Sequence, residues 1–172
     1  DIPCQQLPLL SNMDRMEQTV IYLEAGTASL PTNAAYLALC QQVRRSVFVQ
    51  EQGVSETIDF DGKDPSCAHL LLLFGDEAAG TLRIRKTDNG TKLERIAIMR
   101  EYRKQGLGEL LVRCALALAD GPIYIHAQVQ SEGFYQRLGF VAEDPTIFYE
   151  ADIPHKTMIW PHKKGVLPCT IT

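Results

Sequence analysis

The run Arg103-Lys104-Gln105-Gly106-Leu107-Gly108 places two basic side chains and two glycines at the start of a stretch with helical period. Leu107, Leu110, Leu111, Cys114 and Leu118 recur three and four residues apart. This predicts one amphipathic helix that opens at Gly106 and stops at Asp120-Gly121-Pro122. The first N–H groups of a helix have no partner within it, and the helix dipole favours an anion at that end. Glycine lets an oxygen approach the main chain with no Cβ in the way, while Arg103 and Lys104 offer charge-assisted contacts. The chemistry suited to such a turn is the grip of a phosphate or pyrophosphate. A plain strand-to-helix turn could be written with the same residues. A dinucleotide-binding G-x-G-x-x-G is excluded, because position 111 is Leu.

Other side chains could handle protons or anions. Glu94 reads either as a working carboxylate or as a solvated strand residue paired to Arg85 or Arg95. Tyr135 follows Phe134 in a short helical stretch and reads as a proton donor or as core. Glu51 lies in Val49-Gln50-Glu51-Gln52-Gly53, and His155 follows Pro154 on a late strand. Histidine changes charge between pH 5 and 8, although a lone one is more often structural. Arg44, Arg45, Arg83 and Arg85 carry planar forks that match phosphate or carboxylate; in the plainer reading they are solvated.

The elements that must position these groups follow from period and turn signals. Residues 1–18 lack a period and read as an N-terminal extension; residues 19–23 form a β-branched strand, and Asn33 is the expected cap of a helix that continues to Gly53. The apolar run 69–74, the turn Gly75-Asp76-Glu77 and residues 78–85 predict a hairpin, and Asp88-Asn89-Gly90 leads into a third strand over 93–98. There the two-residue period sets Glu94, Ile96 and Ile98 against Leu93, Arg95 and Ala97. A strand over 123–128, a short helix over 131–138 ended by Gly139, and strands over 147–150 and 156–160 complete the order. The expectation is an α/β (α+β) domain over 19–163, with a mixed sheet of six to seven strands, helices on both faces and a tail over 164–172.

Composition narrows the partners. With 172 residues, 45% of them hydrophobic, the chain can bury one sizeable core. Its 17 basic and 21 acidic residues supply no cationic field for nucleic acid, so any anion must be met by a local constellation. Five scattered cysteines without a C-x-x-C pair argue against a disulfide framework and against a zinc site, and suit a cytoplasmic protein without metal. No apolar run approaches the roughly 20 residues that span a bilayer.

The turn is followed by a strand and then by Phe134-Tyr135-Gln136-Arg137-Leu138-Gly139-Phe140. In this the chain resembles the GNAT superfamily of acyl-CoA N-acyltransferases. The signature R/Q-x-x-G-x-G/A is matched by Arg103, Gly106 and Gly108, and F-Y-x-x-x-G-F by Phe134, Tyr135, Gly139 and Phe140. Val47-Phe48-Val49-Gln50-Glu51-Gln52-Gly53-Val54, Ala127-Gln128 and Ile153-Pro154-His155-Lys156-Thr157-Met158 look like the ElaA-type branch. The likeness spans roughly 36–160.

The resemblance implies acetyl-CoA as co-substrate, bound by Ile96, Ala97, Ile98, Arg103, Lys104, Gln105, Gly106, Leu107, Gly108, Gln128, Phe134 and Tyr135. Where many members carry an Asn for the pantetheine arm, this chain reads Gln128-Val129-Gln130-Ser131, so Gln128 or Gln130 stands in. It further implies an oxyanion site at a main-chain N–H near Ile98, Glu94 as base, Tyr135 as acid, and Glu51 or His155 as secondary candidates. On the acceptor side Arg44, Glu51, Arg83 and Glu94 would meet a small primary amine, phosphorylated in one reading as in glucosamine 6-phosphate. A non-catalytic acyl-CoA sensor is the competing class, and a homodimer is the candidate assembly.

Overall fold

The computed structural model describes residues 17–162 and 164–172. The N-terminal extension read over 1–18 therefore lies almost wholly outside the described residues. The elements are β1 (Gln18–Leu23), α1 (Pro31–Arg44), a π-helical segment (Arg45–Glu51), α2 (Glu56–Asp59), β2 (Ala68–Phe74), β3 (Glu77–Thr87) and β4 (Gly90–Ile98). There follow α3 (Leu107–Leu118), β5 (Ile123–Gln128), α4 (Glu132–Leu138), β6 (Val141–Ala142), β7 (Phe148–Glu150) and β8 (Ile153–Trp160).

They build one eight-stranded mixed sheet in the order β1-β2-β3-β4-β5-β8-β6, with β7 also paired to β8. The strand beyond the expected six to seven is β6, whose two residues are too few to show a period. The strands β1 to β4 run antiparallel, β4 and β5 are parallel, and β5 and β8 return to antiparallel. The chain makes its parallel crossover through α3.

Both faces of the sheet are covered, which explains why β2 is buried throughout and apolar at every position but His69, whose Nε2 lies 2.9 Å from Asp64 O. Its Leu70, Leu72 and Phe74 join the core beneath α3, whereas Leu71 and Leu73 pack with Leu37 and Cys40 of α1. Of the stripe that the spacing predicts in α3, Leu107, Leu111 and Cys114 are buried, and Leu110 and Leu118 pack half-buried against the same core. Helix α1 begins differently from its expected cap. Pro31 occupies the first turn, where its missing N–H costs nothing, Leu30 is the cap residue, and Asn33 instead donates from Nδ2 to Thr27 Oγ1 at 2.8 Å.

Strand β4 also departs from simple alternation. Thr81 pairs with Ala97 but Arg83 pairs with Glu94, so β4 carries one extra residue, and Arg95 sits at φ +53. This bulge inverts the parity of the strand. Leu93, Ile96 and Ile98 all turn to the α3 side, and Ala97 packs on Val43 and Val47 on the opposite side. The alternation expected from sequence therefore holds up to Glu94 and fails after it.

The segment read as a C-terminal tail is docked. Thr172 exchanges hydrogen bonds with Tyr22 and Val20 of β1, and Gly165 donates to Leu116 O at 3.3 Å.

Candidate active site

Parallel β4 and β5 are paired only at Thr91 with Ile123 and Lys92 with Tyr124. Beyond that point a cleft of about 330 Å³ lies along them. On its other edge β4 still pairs with β3, where Met99 N donates to Ala79 O at 2.8 Å. Because successive residues of a strand point their N–H groups to opposite edges, the N–H groups of Ile98 and Ile96 face β5 and the cleft. The bulge and the short pairing together present main-chain donors that a regular sheet would have consumed.

The glycine turn adjoins this opening. Lys104 and Gly106 adopt left-handed conformations, φ +63 and +76, and the first helical bond of α3 runs from Leu110 N to Gly106 O at 3.0 Å. The amides of Leu107, Gly108 and Glu109 precede that bond and so have no partner within the helix. A Cβ built on Gly108 would stand 3.5 Å from Phe134 Cζ and 3.9 Å from Ile98 Cγ1. The two sequence motifs and the bulged strand thus meet at one point. Arg103, Lys104, Gln105 and Gly106 are exposed there, while the Leu107 side chain is core.

Of the residues expected at the site, Glu51, Glu94, Arg103, Gln128, Tyr135 and His155 line the cleft, as do Ile96, Ala97 and Ile98. The π-helical segment leans over it. Such segments insert an extra residue per turn and are frequent at functional sites. Here Glu51 accepts from Arg103 Nη1 at 2.9 Å and Nη2 at 3.0 Å, and Gln52 Oε1 accepts from Gln128 Nε2 at 3.1 Å. Hydrogen bonding to Arg103 holds the Glu51 carboxyl below the usual carboxylate range. Arg103 Nε also donates to Ile98 O at 2.9 Å.

Arg44 and Arg83, expected to receive an anionic acceptor, are placed elsewhere and are each 1% exposed. Arg83 donates to Glu94 Oε1 from Nε at 3.1 Å, and to Asp61 and Asp64 from its terminal nitrogens at 2.7–2.9 Å. Arg44 bonds Asp59 Oδ2 at 3.1 Å, Asp64 Oδ1 at 2.8 Å and the Asp59 carbonyl at 2.9 Å, beneath the Phe60 ring. Their forks serve buried carboxylates of this chain, which leaves none for a substrate. Sequence spacing could not separate this arrangement from surface arginines, because the partners lie 11 to 22 residues away.

Glu94 belongs to the same cage. Burial would raise its pKa, but the hydrogen bond from Arg85 and the charges of Arg83 and Lys92 outweigh that and lower it to about 2. Such a carboxylate is a weak proton acceptor at neutral pH. Tyr135 is nearly buried, and burial alone pushes its phenol up, so it stays protonated. Its ring packs edge-on against Phe134 and Phe140, with centroids at 5.0 and 5.8 Å. His155 bonds through Nδ1 to Ile153 O at 2.7 Å.

Lys92, His126 and Glu150 also line the cleft, and nothing in the sequence analysis marks them as site residues. The signal for His126 was present in β5, where Ile123, Ile125 and Ala127 are buried and Tyr124, His126 and Gln128 take the opposite face. Glu150 is 24 residues away, yet its Oε1 lies 2.7 Å from His126 Nδ1. Among the described residues no group of His, Cys, Asp and Glu could hold a metal ion, and no helix is long and apolar enough to cross a membrane.

The family model for the acetyltransferase (GNAT) domain matches residues 38–161. YyaT of Bacillus subtilis (strain 168) is 37% identical over 134 residues, covering 74% of this chain and 90% of YyaT. The crystal structure of an acyl-CoA N-acyltransferase from Pseudomonas aeruginosa superposes with a TM-score of 0.68 at 30% identity, covering 84% of this chain and 98% of that one. That of Escherichia coli ElaA gives 0.67 at 27% identity, with coverage of 84% and 98%.

Proposed function

Because this chain belongs to the GNAT acetyltransferase family, we propose that it moves an acetyl group from acetyl-CoA to the primary amine of a small molecule, directly and within a ternary complex. The observation that carries this reading is the convergence of the open amides at the start of α3 with the free edge of β4 at Ile96 and Ile98. One anion site and one extended row of donors lie end to end, which suits a pyrophosphate followed by a pantetheine arm.

Each demand on the coenzyme side then has a residue. The amides of Leu107 and Gly108, with Arg103, hold the pyrophosphate. The Ile98 N–H points to where a thioester oxygen would gain charge. Tyr135, protonated and at the cleft wall, supplies a proton to the departing thiolate, whose conjugate acid has a pKa of about 8.5. Glu94 orders the arginines under the acceptor side. The phosphorylated-acceptor reading loses its support, since Arg44 and Arg83 are bound internally. A non-phosphorylated amine suits a cleft whose cations Lys92, Arg95 and Arg103 are already paired with its carboxylates Glu94, Asp59 and Glu51. The free thiols of Cys40, Cys67, Cys114 and Cys169 suit a reducing cytoplasm.

The test is a thiol-release screen with acetyl-CoA as donor against amino sugars, their phosphates, polyamines and amino acids. Turnover with a non-phosphorylated amine is expected. Binding of coenzyme A without thiol release from any member would favour a sensor.

A further inference from the structure

Attack on a thioester needs a neutral amine, and an alkyl ammonium with a pKa of about 10.4 is neutral in only about one molecule in a few thousand at pH 7. A base in the cleft must take the proton. Glu94 is held by Arg83, Arg85 and Lys92, and Glu51 is clamped to Arg103. The third acid–base group expected there, His155, is 7% exposed and bound to its own strand.

We propose that His126 is the general base of the acyl transfer and that Glu150 is its positioning residue; this rests on the acetyltransferase reading above. The Nδ1 atom of His126 lies 2.7 Å from Glu150 Oε1. With Nδ1–H donating to that carboxylate, the lone pair is on Nε2, which has no hydrogen-bond partner among the described residues. His126 lines the cleft and lies two residues past the last β4–β5 pair, where the strands part. Its side chain is on the face of Lys92 and Glu94, whereas Tyr135 packs in the core under α3. Base and acid thus stand on opposite faces of the opening in which the thioester would lie.

Glu150 is fixed independently of substrate. Ala151 and Asp152, with φ of +49 and +61, form the two-residue turn between β7 and β8, which sets Glu150 opposite Ile153. Phe148 supports the imidazole edge-on at 4.8 Å. The titratable groups facing the pair are Lys92 Nζ, 4.0 Å from Glu150 Oε1, His155 Nε2, 3.9 Å from Glu150 Oε2, and Tyr124, whose ring centroid lies 5.7 Å from that of the imidazole.

Nε2 of His126 takes one proton from the ammonium and later releases it to solvent. The amine lone pair forms the C–N bond, the C–S bond breaks as the tetrahedral adduct collapses, and the second nitrogen-bound proton replaces the one Tyr135 gives to sulfur.

The experiment measures thiol release from acetyl-CoA with ethanolamine at high concentration as the probe amine, across pH 5.5–9, for the wild type, His126→Gln and Glu150→Gln, with coenzyme A affinity measured by calorimetry on each. The expected result is a loss of about 10²–10⁴-fold in kcat/KM for His126→Gln. The fall in rate on acidification that a protonating imidazole imposes should vanish with it, while coenzyme A affinity stays within about twofold. Glu150→Gln should keep coenzyme affinity, lose part of kcat and move the acid limb. A His126→Gln enzyme that binds coenzyme A and retains both rate and acid limb overturns the proposal while leaving the acetyltransferase reading intact. A wild type that binds coenzyme A yet releases thiol neither with ethanolamine nor with any amine of the screen overturns both.

Discussion

Arg83 binds Glu94 Oε1 with two nitrogens, Nε at 3.1 Å and Nη2 at 2.9 Å, at a point where both side chains are almost wholly buried. Glu94 is therefore first a partner of cations. Arg83 keeps Asp61 and Asp64 when the Glu94 charge is removed, so Glu94→Gln should cost about 1–3 kcal/mol, the worth of a lost charge-assisted hydrogen bond, read as a lowered midpoint in urea. Turnover per folded molecule should fall less than in His126→Gln.

The same pair fixes an acid dependence. The Glu94 carboxyl is held at about 2 in the folded protein against an ordinary 4.5. A depressed folded pKa gives stability that is full above the unfolded value and is lost as pH falls from about 4.5 toward 2. Urea midpoints measured between pH 6 and 3 should drop for the wild type and flatten for Glu94→Gln; parallel curves would contradict the assignment.

Arg44 joins α1 to Asp59 and Asp64 with 1% exposure. Arg44→Met should lower the melting temperature by roughly 10 °C, from a loss of about 3–5 kcal/mol in a domain of this size. Coenzyme A affinity of the folded fraction should be unchanged. A marked loss of affinity instead would return Arg44 to the binding surface.

Tyr135 stays protonated because burial raises its pKa. Tyr135→Phe should reduce kcat by about 10²-fold or more, with little change in the KM for acetyl-CoA. An unchanged kcat would leave Tyr135 a purely packing residue.

Glu51 holds Arg103 in a two-pronged bond. If Arg103 turns to the pyrophosphate, Arg103→Met should weaken coenzyme A binding by about tenfold or more, the worth of a charge-assisted contact. Glu51→Gln should leave affinity unchanged or tighten it. Calorimetry on both variants separates this from a latch that must stay closed.

The legible parts of this protein are those where a local period carries the information. The stripe of α3, the apolar run of β2 and the Gly106 turn could be read because each is set by neighbours within about four residues. The β4 bulge was hidden, since Arg95 at φ +53 is not a residue type that announces a left-handed conformation. The π-helical segment looked like a continuation of α1 for the same reason: its apolar Val47 keeps helical spacing while the hydrogen-bond ladder lengthens. The arginine cage and the His126–Glu150 contact needed the fold itself. Their partners come from different strands and loops, and no period links residues 126 and 150.

In the proposed function, main-chain amides at the opening of α3 cradle a pyrophosphate. Gly108 tests it cleanly, because its φ lies outside the left-handed region and a Cβ there would meet Phe134 and Ile98 only at ordinary contact distance. Calorimetric titration of coenzyme A into the wild type and Gly108→Ala should show a loss of at least about tenfold in affinity in the variant, with the melting temperature of the free proteins nearly equal. Equal affinities in two equally folded proteins would contradict it.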